Sequence, residues 1–158
     1  MSIVLLFIVL IIVFFALSFF SRRRFGVLGL ALATGVVLSD FWAMPLADFF
    51  ERSGLSTGAL TVPSVTAGLL IIAPAAILFT GGPSYNKLAM RIIGSLCFTL
   101  LLVALLIEPL GNSLVLTGEN KQVYDWLSEH RYIVISIGFI FAIIDILLIH
   151  SSKKYKKH

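Results

Sequence analysis

Long apolar runs separated by short charged gaps constrain this chain more than any other feature, because its basic residues favour every second gap. Arg22, Arg23 and Arg24 fill one gap, Lys87 and Arg91 another, and Lys153, Lys154, Lys156 and Lys157 follow the last run. Only Arg52, Lys121 and Arg131 fall in the alternate gaps. The positive-inside tendency of polytopic membrane proteins produces this bias. Composition points the same way. Of 158 residues, 59% are hydrophobic and 13% charged, whereas a soluble domain is about a quarter charged. So few charges cannot cover a water-facing surface. The net charge of +4 does not argue for nucleic acid, because the cations sit at the ends of apolar runs and suit anionic lipid headgroups as partners.

A helix crosses the ~30 Å hydrocarbon core with about 20 residues. Five segments fit: residues 3–20, 25–44, 65–80, 92–107 and 132–150. The third and fourth are short, which flanking residues or local thinning can accommodate. The expected fold is therefore an all-α integral membrane protein, one helical domain over residues 1–158. Its N-terminus lies outside and its C-terminus in the cytoplasm of a bacterial inner (plasma) membrane. The first run is not read as a secretory signal, because its positive charges follow the apolar core instead of preceding it. Seven acidic residues (Asp40, Asp48, Glu51, Glu108, Glu119, Asp125 and Glu129) then fall on the outer half, with Trp42, Trp126 and Tyr132 at headgroup level. In the outer connections, Leu46, Phe49 and Phe50 can share one helical face, as can Val123, Trp126 and Leu127. Two short amphipathic helices lying in the outer interface are expected there.

Asp145 is the sharpest candidate for chemistry. It is the one acidic residue on the inner half, placed ~6 Å below the midplane of span five at 1.5 Å per residue. A carboxylate at such depth usually faces a partner or a water-filled cavity. Asp145 can serve as a proton or cation site, or can make a structural contact to Arg91, Arg24 or a polar neighbour. Asp40, nearer the outer end of span two, can make a helix-end contact or line an outward-facing cavity. Pro74 is expected to kink span three. Gly26, Gly29, Ala31, Ala33 and Gly35 in span two, and Ser95 and Thr99 in span four, are small residues suited to close helix approach, within the chain or between copies. Cys97, within an apolar run, reads as a packing residue. Enzyme signatures are absent: there is no HExxH, GxSxG or phosphate loop, and no metal-ligand set or cofactor motif.

Three stretches together resemble the colicin V production protein (CvpA) family of bacterial inner-membrane proteins. They are Arg22-Arg23-Arg24-Phe25-Gly26-Val27-Leu28-Gly29-Leu30-Ala31 after the first span, Pro45-Leu46-Ala47-Asp48-Phe49-Phe50, and Ser84-Tyr85-Asn86-Lys87-Leu88-Ala89-Met90-Arg91-Ile92-Ile93-Gly94. The likeness covers roughly residues 1–112. Asn86 stands where the family tends to have aspartate, and the fifth span is additional. The resemblance implies a small helical protein of toxin export or envelope upkeep, with no catalytic residues to carry over. The expected function is non-enzymatic, exerted through association with another copy or a membrane-protein partner. The alternative is a small transporter or channel subunit built around Asp145.

Overall fold

The computed structural model describes residues 3–54, 60–81, 83–85, 87–111 and 119–154. Asn86, Lys156 and Lys157 lie outside these residues, as do the side chains of Lys153 and Lys154. The described chain forms five α-helices: α1 (Ile3–Ser21), α2 (Phe25–Arg52), α3 (Val62–Phe79), α4 (Leu88–Gly111) and α5 (Glu119–Lys154). Four helical stretches, Phe25–Arg52, Val62–Phe79, Leu88–Gly111 and Lys121–Leu148, are long and apolar enough to cross a membrane, and Phe7–Ser21 forms a shorter apolar helix. Successive helices run in alternate directions. One end of the bundle therefore gathers the α1–α2 turn, the α3–α4 connection and the end of α5, and is called here the basic end. The other gathers most of the carboxylates and is called the acidic end.

The two amphipathic stretches are helical, but they are not separate interfacial elements. Residues 45–52 continue α2 straight through Pro45, and residues 119–131 are the first part of α5. Proline removes one backbone donor and crowds the preceding turn, yet Ala47 beyond it is 1% exposed, so packing holds the last turns of α2. Nothing between Lys121 and Tyr132 could end a helix, since neither glycine nor proline occurs there. Likewise α4 passes Pro109 before stopping at Gly111, and α3 runs unbroken through Pro74. Pro63 occupies the first turn of α3, where a missing N–H costs nothing.

The core is centred on α4, whose residues from Leu101 to Ile107 are all buried. Leu28 and Leu32 of α2, Ile71 and Ala75 of α3, and Ala142 of α5 pack around Phe98, Leu101 and Leu105. Phe79 meets Phe98 edge to face at 5.5 Å. Glycine allows a close approach between α2 and α3: a Cβ on Gly35 would overlap the backbone of Ile71. The outward faces are apolar, with Ile12, Phe41, Leu69, Ile140 and Leu147 each more than half exposed. Water would not stabilise so large an apolar surface. α5 is the least enclosed of the long helices and α4 the most.

Candidate functional site

At the basic end, the α1–α2 turn is the hub. Three residues join these helices, and Arg22 takes a left-handed conformation, φ 58°, to reverse the chain. The turn is then stitched to the α3–α4 connection. Arg24 N–H donates to the Pro83 carbonyl at 3.1 Å, and Tyr85 N–H to the Arg22 carbonyl at 2.8 Å. These bonds flank an antiparallel bridge between Arg23 and Ser84.

Side chains complete the joint. Arg23 donates to the carbonyls of Phe79 (3.2 Å) and Thr80 (3.0 Å), closing the C-terminus of α3. Arg91 of α4 donates to the Phe19 carbonyl at 2.7 Å, closing that of α1, and lies over the Phe19 ring at 4.3 Å. Asp145 of α5 does the complementary work at the start of α2. Its Oδ1 accepts from Arg24 Nη2 at 2.9 Å and its Oδ2 from Gly26 N–H at 2.9 Å. Cations at helix C-termini and an anion at a helix N-terminus each oppose the exposed end of a helix dipole, contributing about 0.3–1 kcal/mol at the surface and up to ~2 kcal/mol when partly buried. Arg24 and Asp145 are largely buried, at 20% and 15% side-chain exposure.

Tyr85 fills the middle of this joint. Its hydroxyl accepts from Phe25 N–H at 3.2 Å, and the Arg24 guanidinium lies 5.1 Å from its ring centre. A side chain on Gly94 would collide with that ring at 2.6 Å. Burial, with a smaller contribution from the Asp145 charge, pushes the Tyr85 hydroxyl up to about 12, against the opposing effect of the Phe25 hydrogen bond. Asp145 is level with the first turn of α2, whose Gly26 N–H donates to it. α5 extends beyond both ends of the expected 132–150 segment.

The small residues of α2 are used within the chain. A Cβ on Gly26 would meet the Ala142 carbonyl at 2.5 Å, and one on Gly29 the Ala142 methyl at 2.8 Å, so both seat α2 on α5. Gly35 faces α3, Ala31 is in the core and Ala33 is half-buried. Ser95 and Thr99 are buried in α4, and the Thr99 hydroxyl donates to its own helix, to the Ser95 carbonyl at 2.8 Å. Cys97 packs half-buried against the core. Arg22 and Lys87 are exposed.

At the acidic end, α2, α3, α4 and α5 part to leave a cleft of ≈ 660 Å³. Val36, Ile71, Leu105, Ile135 and Phe139 give it apolar walls, while Ser39, Asp40, Thr61, Ser64, Glu108, Arg131 and Tyr132 give it polar groups. Asp40 thus lies in the wall of a cavity; Asp145 does not line it. α2 continues twelve residues beyond Asp40 to Arg52, so Asp40 is mid-helix and level with the start of α3, not near a helix end. Arg131 Nη2 is 3.1 Å from Glu108 Oε2 and donates to the Tyr132 hydroxyl at 2.6 Å. The Arg131 side chain is 10% exposed and Glu108's 63%. Arg131 Nε is buried without a hydrogen-bond partner. The Thr61 hydroxyl, at the N-cap of α3, donates to the Ser64 hydroxyl at 2.8 Å.

Sequence reasoning missed Arg131, Glu108, Ser39, Ser64 and Tyr132 as parts of one site. The available signal was slight: Arg131 breaks the charge pattern, and Ser39 precedes Asp40 in an apolar run. Among the described residues no three His, Cys, Asp or Glu side chains gather as a metal site. No family model, curated protein or solved structure matches the chain.

Proposed function

We propose that this chain is a non-enzymatic, five-span protein of a bacterial inner membrane, with its N-terminus outside and basic end in the cytoplasm. It serves envelope upkeep or export by engaging another membrane component through the acidic-end cleft. The observation that carries this reading is the contrast in hydrogen bonding. Arg23, Arg91 and Asp145 bind helix ends at the basic end, whereas Arg131 pairs with Glu108 in the wall of an open cleft. The placement of cationic residues supports the orientation, and the likeness to the colicin V production protein family supports envelope upkeep or export. The transporter reading centred on Asp145 is less favoured: both carboxylate oxygens are bonded within the fold and the cleft is lined by other residues.

Reporter fusions at the two chain ends, combined with a photo-reactive residue at Met44 in intact cells, test this reading. The ends are expected on opposite sides of the membrane, with Met44 linked reproducibly to one component. Ends on one side would overturn the topology, and a Met44 probe that links to nothing would overturn the role of the cleft.

A further inference from the structure

We draw no further inference here: the strongest candidate, the acidic-end cleft between α2, α3, α4 and α5, belongs to the site already described, and nothing in the structure shows what fills it.

Discussion

The two ends of the bundle hold similar side chains and use them differently. At the basic end, arginines and one aspartate bind the ends of helices, each joining an element to one distant in sequence: Arg23 to α3, Arg91 to α1, Asp145 to α2. Their hydrogen bonds are spent on architecture, so this end is a fixed joint. At the acidic end, an ion pair of the same chemistry, Arg131 with Glu108, stands in the wall of an open cleft. Position, not residue type, separates scaffold from site.

The largest test of this contrast is Asp145→Ala. It leaves the largely buried Arg24 without its carboxylate and uncaps the Gly26 amide, and breaking a buried pair in this way costs about 3–5 kcal/mol. Asp145→Asn keeps an acceptor for Gly26 and is expected to lose less. Thermal unfolding of the purified protein in mild detergent reads both. Near-wild-type stability in Asp145→Ala would remove the claim that this end is a joint.

Next in size is Gly35→Ala, at a close approach of α2 and α3. The new methyl presses on the Ile71 backbone, which cannot rotate away as a side chain could, so the helices must separate. Overpacking of this kind costs about 1–3 kcal/mol. The loss is read in thermal unfolding, and because Ile71 and Val36 also line the cleft, capture there is read alongside. A change in capture would mean that helix spacing controls the cleft.

Much of this architecture was legible before any coordinates. Apolar runs marked the helices, since only a helix satisfies its own backbone in lipid, and the alternate cationic gaps correctly grouped Arg22 to Arg24 with Lys87 and Arg91. The Arg24–Asp145 pair was among the contacts the sequence allowed for Asp145, but nothing local chose between Arg24 and Arg91. That choice depends on how α5 packs on Gly26 and Gly29. The ends of α2 and α5 were misread because proline and amphipathicity are local signals, whereas the burial of Ala47 and the packing of Tyr124 and Leu127 beside Phe7 and Ile107 are tertiary. The cleft was the least legible part. Its polar groups come from four helices, and no spacing along the chain records that they converge.

Tyr85→Phe is a smaller perturbation of the joint. It removes the acceptor for Phe25 N–H and should cost about 1 kcal/mol, the net value of an ordinary hydrogen bond. It also carries a pH signature. The Tyr85 hydroxyl ionises at about 12 in the folded chain against 10.0 ordinarily. The folded state therefore holds its proton where the unfolded chain has lost it, and stability falls as pH rises from about 10 to about 12. Unfolding of the wild type and of Tyr85→Phe, followed across that window, should show the variant losing less with pH. Parallel decline would mean that Tyr85 is not enclosed by the joint.

The smallest expected effect is at the other end, in Glu108→Gln. Glu108 is 63% exposed, so solvent screens its attraction to Arg131, and pairs of this kind contribute about 0–1 kcal/mol. The glutamine retains an oxygen that can accept from Arg131, and the Tyr132 hydroxyl continues to receive the same guanidinium. Thermal stability should therefore move by less than about 1 kcal/mol, well short of the Asp145→Ala loss, although both substitutions remove one carboxylate from one arginine. A loss as large as that of Asp145→Ala would mean that the Arg131–Glu108 pair also braces the fold. The acidic end would then be a second joint, and the cleft beside it a by-product of packing.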